Sequence, residues 1–243
     1  ACKRQCAWGL ECGGTKIMKA VERYQKIQEQ VVRATDRVDR DRASVRLMVV
    51  SKTWRADDIE PIANAGHLVY GENRVLEAID KISLLPSQLE WHLIGHLQKN
   101  KVRKALPAFH TIHSVDSLEL AQRIDQIALD LGLKSRVLLQ VNIGNEPQKN
   151  GFSVSEVSSQ IPTILALERL NVVGLMAIPP QVETAEQARP YFRNLRLLRD
   201  RLESEHGCAL PELSMGMTSD FEVAIEEGST IVRVGSAIFG SRH

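Results

Sequence analysis

The stretch Val45-Arg46-Leu47-Met48-Val49-Val50-Ser51-Lys52-Thr53 is a short apolar run, rich in β-branched residues, that ends in a lysine. Such a run is typical of an inner strand of a parallel sheet, because both faces of that strand are covered. Ligands bind outside the carboxyl ends of parallel strands, so we expect Lys52 on the ligand side. Low polarity there favours a neutral amine that can condense with a carbonyl. A solvated lysine just past a strand is the alternative.

Composition narrows the class of protein. The chain has 243 residues with 43% hydrophobic content, and an α/β barrel takes roughly 250 residues. Its 31 basic residues balance 30 acidic ones, so no basic field attracts nucleic acid or an anionic membrane. No apolar run reaches the roughly 20 residues that span a bilayer, and the start lacks a secretory signal core. We therefore expect a cytoplasmic protein.

The segment 1–17 differs from the rest of the chain. It holds Cys2, Cys6 and Cys12 among glycines and mixed charges without periodicity. We predict that 1–17 is a disordered N-terminal extension, either an upstream leader or the product of a misplaced start codon. The predicted barrel domain spans 18–243. A zinc site needs four ligands, usually in closely spaced pairs, and Cys208 is far away in sequence. We therefore predict no metal site.

After this segment, short apolar runs alternate with helical patterns. Apolar residues at Val21, Tyr24, Ile27, Val31 and Val38 predict a first helix that could close one end of a barrel. The predicted strands are 47–50, 67–70, 91–94, 111–115, 137–141, 172–177, 213–215 and 231–234. Eight strand–helix units without a linker predict a single α/β domain, a (β/α)8 barrel of the TIM type with an extra N-terminal helix.

Capping residues indicate where some of the helices begin and end. Asp116 or Ser117 can cap the helix after strand four, and Gly132 can end it. Gly207 ends the longest helical pattern, and Pro162 should kink its helix or mark the true start.

The residues just after the eight strands should share one rim of the barrel. They are Lys52, Asn73, Gly95-His96, Asp116, Asn142, Met176-Ala177, Met217-Thr218-Ser219 and Gly235-Ser236. Barrels often bind phosphate with the loops after strands seven and eight, so Thr218-Ser219 and Gly235-Ser236 are candidates. Ser219 followed by Glu222 also matches a capping box, which needs no ligand.

Arg233 precedes Gly235 by two residues, so both face the barrel interior. It could pair with a carboxylate of a neighbouring strand, or donate to the ring nitrogen of a bound heterocycle. A reactive lysine, a phosphate cradle and a ring-nitrogen donor on one rim describe pyridoxal 5′-phosphate (PLP) better than a sugar phosphate.

Five runs also resemble a known family: VSKT (50–53), GEN (71–73), WHLIGHLQKNK (91–101), SMGMTSD (214–220) and VRVGSAIFG (232–240). They are similar to those of the YggS/PROSC family of PLP homeostasis proteins, over nearly everything after Met18. The resemblance implies a monomeric PLP-binding barrel of fold type III, similar to the N-terminal domain of alanine racemase. The chain departs from the family pattern at Arg74, where an aromatic residue is common, and at Thr218, where serine is common.

The resemblance also assigns roles to individual residues. It implies that Lys52 carries PLP as a Schiff base and that Arg233 faces the pyridine nitrogen. It places Asn73 beside the ring and includes Met176 among the cofactor-binding residues. The phosphate would lie among Thr218, Ser219, Gly235 and Ser236.

The remaining question is whether the protein is an enzyme. Racemisation needs an acid and a base on opposite faces of the substrate, but Tyr24 and Tyr191 lie on predicted helix faces and Tyr70 precedes the Gly-Glu-Asn turn. Arg233 keeps its proton, so the ring nitrogen stays unprotonated, and we expect no second domain to supply the opposite base. We predict a non-catalytic protein that buffers PLP and delivers it to PLP-dependent apoenzymes.

Two enzymatic alternatives stay open. One is a PLP-dependent amino-acid racemase of the alanine racemase type. The other is a class I aldolase in which Lys52 attacks the substrate, although Arg233 argues against it. His92 and His96 are expected to make structural hydrogen bonds, and His110 and His113 around strand four imply no metal-ligand geometry.

Overall fold

Eight parallel strands close into one barrel in the computed structural model, which describes residues 13–240. They are β1 (Arg46–Val50), β2 (Val69–Glu72), β3 (Glu90–Leu93), β4 (Thr111–Val115), β5 (Ser135–Gln140), β6 (Leu170–Met176), β7 (Glu212–Ser214) and β8 (Ile231–Val234). Each strand pairs with its neighbours in sequence, and β1 pairs with β8 to close the ring. The predicted (β/α)8 barrel is confirmed.

The described residues also form α-helices between and around these strands. They are α1 (Gly13–Asp36), α2 (Ala56–Asn64), α3 (Val75–Ile82), α4 (Val102–Ala105), α5 (Leu118–Leu131), α6 (Val154–Leu165), α7 (Ala185–His206), α8 (Phe221–Glu226) and α9 (Ser236–Phe239). None of the helices described is long and apolar enough to cross a membrane.

The extra N-terminal helix is present as α1. It starts at Gly13, before the predicted domain boundary at Met18, while the rest of the predicted extension, 1–12, lies outside the described residues. Tyr24, Ile27 and Val31 are buried as predicted, but Val38 lies past the end of the helix and is 36% exposed. The helix packs against α2, α8 and α9, the helices next to the β1–β8 seam.

Local capping follows the sequence in most places. The Ser117 hydroxyl accepts a hydrogen bond from the Leu120 amide at the start of α5. Gly132 and Gly207 end α5 and α7 in the left-handed conformation, which favours glycine. The prediction that Pro162 could start its helix is wrong, because Ser153 and Glu156 form a capping box ahead of Val154. Pro162 lies inside α6.

Charged side chains occupy the amino end of the barrel interior. Glu212, at the start of β7, accepts hydrogen bonds from Arg46 of β1 and from Arg136 of β5. The Glu212 side chain is only 9% exposed, and burying its charge costs solvation free energy. The two guanidinium groups that bind it offset that cost. This ionic group lies at the end of the barrel opposite Lys52.

Candidate functional site

Lys52 lies on the loop after β1, and the backbone on either side of it is held in place. The Ser51 amide donates to the Gly71 carbonyl of β2 over 3.0 Å. Thr53 adopts a positive φ of 69°, which is unfavourable for a β-branched residue. Its amide donates to Glu77 Oε1 over 2.8 Å, and this contact stabilises the strained turn. The half-buried lysine therefore projects from a constrained turn.

A buried ionic network lies behind this turn. Glu72 Oε1 accepts from the Ser51 hydroxyl over 2.6 Å and from Lys81 Nζ over 2.9 Å. Lys81 also donates to the Ser51 carbonyl over 3.0 Å. Burial raises the pKa of Glu72, while the hydrogen bonds from Ser51 and Lys81 oppose that rise.

Sequence reasoning missed this network, although part of its signal is visible in the chain. Glu77 and Lys81 have the spacing of a helical ion pair, and their side chains lie 3.0 Å apart. The burial of Lys81 and its contact with Glu72 are visible only in the folded chain. Because Lys81 contacts the residue directly before Lys52, the network positions the rim lysine.

Arg233 points into the barrel, as its alternation with Gly235 predicts. It is 4% exposed. Its Nη1 donates to the carbonyl and the hydroxyl of Ser214 over 2.7 and 2.8 Å, and its Nη2 donates to the Ala177 carbonyl over 2.9 Å. These bonds use three of the five guanidinium N–H groups. Burial lowers the pKa of Arg233 to about 10, while the nearby Asp220 charge acts to raise it.

The alternative prediction, that Arg233 forms an ion pair, is wrong for the part of the chain that the structure describes, residues 13–240. None of the carboxylates described there forms a salt bridge with it, and its hydrogen-bond acceptors are neutral. Two N–H groups make no hydrogen bond in the same part of the chain, so the guanidinium retains donor capacity.

A hydrogen-bonded chain crosses the barrel interior to Arg233. His92 Nδ1 lies 2.8 Å from His113 Nε2, and His113 Nδ1 lies 3.0 Å from the Ser214 hydroxyl that Arg233 contacts. Burial lowers the pKa of His92 to about 3 and holds that of His113 well below its usual value. Both rings are therefore neutral at pH 7, and His92 makes the structural hydrogen bond expected for it.

The loops after β7 and β8 meet, as the rim prediction requires. The Ser236 hydroxyl donates to the Thr218 hydroxyl over 3.1 Å. A Cβ atom on Gly235 would lie 2.8 Å from the Val50 carbonyl, so only glycine lets the end of β8 approach β1 this closely. Ser219 is exposed beside them.

The capping box predicted for Ser219 and Glu222 is wrong. Asp220, not Ser219, occupies the N-cap position of α8, and its carboxylate turns back from the helix to accept from the Met217 amide over 2.6 Å. Glu222 instead pairs over 2.7 Å with Arg37, the residue directly after α1. The Ser219 side chain is therefore not committed to a capping box.

Asn73 lies on the rim of the barrel, whereas Met176 lies deeper, in the barrel interior. Asn73 is half-buried and lines a cavity of about 310 Å³ together with His96 and Asn142. Met176 is fully buried inside the barrel, and its register partner is Ser214, an acceptor of Arg233. Arg74 is exposed at the start of α3.

The other polar rim residues mostly bind each other or their own loops. His96 Nδ1 lies 3.0 Å from an Asp116 carboxylate oxygen, which joins the loops after β3 and β4 and gives His96 the structural contact expected for it. The Asn142 amide donates to the Glu146 carbonyl over 2.8 Å and shapes its own loop. Tyr70 is buried against His67 and Trp91, and burial raises the pKa of its phenol.

Comparison with known proteins agrees with this architecture. The sequence pattern of the alanine racemase N-terminal domain matches residues 23–243. The chain is 44% identical over 226 residues to the pyridoxal phosphate homeostasis protein of Aquifex aeolicus, covering 93% of this chain and 99% of that protein. It is 37% identical over 201 residues to the one of a Synechocystis species, covering 82% of this chain and 92% of that protein.

A solved structure shows the same relationship. PipY of Synechococcus elongatus, solved with PLP bound, superposes with a TM-score of 0.80 at 37% identity, covering 91% of this chain and all of that one. Fold and rim thus define a barrel of the alanine racemase N-terminal class with a lysine at its mouth. Within that class, the chain belongs to the family of pyridoxal phosphate homeostasis proteins.

Proposed function

We propose that this protein binds PLP covalently and reversibly through Lys52, and that it buffers and delivers the cofactor without turning over amino acids. The names of the Aquifex and Synechocystis relatives support homeostasis, and PipY supports PLP binding. The observation that carries the proposal for this chain is Arg233, a buried donor with spare N–H groups inside the barrel that bears Lys52 at its mouth.

The described residues fit the three groups by which PLP is recognised. The Lys52 amine suits the aldehyde, and the spare N–H groups of Arg233 suit the ring nitrogen. The joined loops carry Thr218, Ser219, Gly235 and Ser236 for the phosphate. The first amides of α9 have no acceptor inside the helix, which adds donors for an anion. Asn73 and Met176 complete the proposed set.

Arg233 also supports a role without catalysis. When bound, PLP supplies an electron-withdrawing ring that can stabilise a carbanion. Arg233 gives a hydrogen bond but keeps its proton, so it leaves that ring weakly electron-withdrawing. Tyr70, the tyrosine nearest to Asn73 in sequence, lies among His67 and Trp91 in the core. It is thus a poor candidate for a catalytic base.

We propose further that the protein is a cytoplasmic monomer that passes PLP to PLP-dependent apoenzymes. Lys52 is half-buried at the barrel mouth, where a recipient can approach it. The cavity beside Asn73 gives an incoming amine space next to the proposed cofactor position.

Spectroscopy and mass spectrometry test cofactor binding. We expect a yellow protein whose visible band disappears in Lys52→Ala. After borohydride reduction, the Lys52 peptide should carry the mass of one phosphopyridoxyl group. Lys134→Ala removes an exposed lysine just before β5, at the other end of the barrel, and should leave both signals unchanged. A band that survives in Lys52→Ala would show that another residue holds PLP.

Turnover separates the carrier from the two enzymes. Incubation of the loaded protein with L-alanine, followed by chiral chromatography, should yield no substantial D-alanine. Rapid racemisation that depends on Lys52 would establish the racemase alternative. A colourless protein that borohydride traps on a sugar phosphate through Lys52 would establish the aldolase alternative.

A further inference from the structure

A second group of polar side chains lies at the amino end of the barrel, opposite the proposed cofactor site. Glu90 begins β3, His92 lies two residues later, and His110 directly precedes β4. One ligand atom from each of the three residues lies within 4.8 Å of the other two. We propose that Glu90, His92 and His110 bind a divalent transition-metal ion of the zinc type.

The backbone brings the two histidines together. The His110 amide donates to the Trp91 carbonyl over 2.8 Å, which fixes His110 beside the strand that carries His92. The two imidazole rings lie with their centroids 5.7 Å apart and their planes tilted by 31°. The sequence gives no sign of this grouping, because 17 residues separate His92 from His110 in the chain.

An unsatisfied nitrogen points into the group. The His92 side chain is 1% exposed, and its Nε2 makes no hydrogen bond within residues 13–240. The nearest carboxylate oxygen, Glu90 Oε2, is 3.8 Å away, too far for a hydrogen bond. A buried polar atom without a partner costs about 1–3 kcal/mol, and coordination to a metal ion would satisfy it.

His113 provides the outer contact that metal-binding histidines normally have. A ligand histidine usually donates its other ring N–H to a neighbouring acceptor, and that contact fixes its orientation. His92 Nδ1 lies 2.8 Å from His113 Nε2, so a proton on Nδ1 leaves the Nε2 lone pair available for the ion. The next bond, from His113 to Ser214, keeps the His113 ring in the matching orientation.

The charges around the group permit a cation. Arg46 and Arg136 are close enough to His92 to disfavour a positive charge on it. Both guanidinium groups, however, bind the Glu212 carboxylate, which offsets part of their charge. The Glu90 carboxylate adds a further negative charge directly at the proposed ligand position.

Two histidines and one carboxylate form a ligand set typical of zinc with a fourth position open to water. Ligand distances of about 2.0–2.2 Å require the three donor atoms to move closer by about 1 Å. His110 is exposed and Glu90 is half-exposed, so both side chains have room to move. The ion would join the start of β3 to the start of β4.

Titration of the full-length, metal-free protein with Co²⁺ alone tests the site. We expect one ion per chain, with visible d–d bands and no thiolate charge-transfer band. The absence of the thiolate band would exclude the four cysteines as ligands of the ion. His110→Ala and Glu90→Gln should each weaken binding at least about tenfold, and neither substitution creates a buried cavity. His206→Ala at the end of α7 and Glu60→Gln on α2 are matched controls that should bind like the parent protein.

Thermal unfolding gives a second readout. An ion that binds only the folded state raises the melting temperature, in proportion to the logarithm of its concentration above Kd. We expect this shift with Zn²⁺ in the parent protein and its loss in His110→Ala and Glu90→Gln. Absence of the cobalt bands, a thiolate band alone, or unchanged affinity in both variants would each overturn the proposal.

Discussion

Arg233 donates a 2.8 Å hydrogen bond to the hydroxyl of Ser214, and the same guanidinium binds two backbone carbonyls inside the barrel. The arginine thus holds β7 to β8 and to the residue after β6. Its contribution to stability and its proposed role toward the PLP ring share one side chain, and substitutions can separate them.

Arg233→Met should lower the free energy of unfolding by about 3 kcal/mol, since buried acceptors lose their donors. It should also weaken PLP binding because the ring nitrogen loses its partner. Urea unfolding without PLP measures the first effect, and titration of the visible band measures the second. Ser214→Ala is the matched control, as it removes one Arg233 contact and leaves the guanidinium. Equal PLP affinity in Arg233→Met and Ser214→Ala would contradict the ring-nitrogen assignment.

Thr218→Val and Ser236→Ala remove two exposed hydroxyls that bond to each other over 3.1 Å. Each change should alter the free energy of unfolding by less than about 0.5 kcal/mol, as expected for surface sites. PLP affinity should fall by about 10- to 100-fold, because a hydrogen bond to a charged phosphate contributes about 1.5–3 kcal/mol. Pyridoxal without the phosphate should bind the variants and the parent protein equally. Unchanged PLP affinity, or an equal loss of pyridoxal affinity in the variants, would contradict the assignment of these hydroxyls to the phosphate.

Gly235→Ala introduces a Cβ atom 2.8 Å from the Val50 carbonyl, a backbone atom with little freedom to move. We expect a loss of about 1–3 kcal/mol in unfolding free energy, typical of overpacking, and weaker PLP binding. In Gly71→Ala the new atom meets Met48 Sδ at 2.6 Å, the flexible side chain of a barrel residue. The control Gly71→Ala should lose less unfolding free energy than Gly235→Ala. An equal loss in the two variants would show that close approach of β8 to β1 is not the constraint.

Lys81→Met leaves the carboxylate of Glu72 buried without its cation. The free energy of unfolding should therefore fall by roughly 3–5 kcal/mol at neutral pH. The double variant Glu72→Met/Lys81→Met should recover much of that loss. We also expect Lys81→Met to slow the appearance of the visible PLP band, since Lys81 supports the Ser51 carbonyl next to Lys52. A single variant as stable as the double variant would refute the coupling.

Stability should depend on pH through His67, because burial lowers its pKa from 6.5 to about 4. The unfolded chain binds this proton near pH 6.5 but the folded chain does not, so stability is retained above pH 6.5 and falls as the pH drops toward 4. Between pH 7.5 and 5.0 the expected contribution is about 2 kcal/mol. Urea unfolding of His67→Phe should show a correspondingly smaller decrease; parallel pH profiles would contradict the assignment.

Much of the fold and the outline of the rim could be predicted from the sequence. Period-two alternation and short β-branched runs are local signals, and strands β4 and β8 lie where those runs predict them. The side of the barrel on which Lys52 and Arg233 lie follows from the same alternation and from parallel topology.

Only the tertiary structure decided which polar groups meet. The contacts of Lys81 with Glu72, of His113 with Ser214 and of Asp220 with Met217 depend on how helices pack and how strands are staggered. That stagger includes register shifts at β4–β5 and β5–β6, which long-range packing sets. A local pattern shows the direction of a side chain, whereas its partner comes from another strand or helix whose position no local pattern encodes.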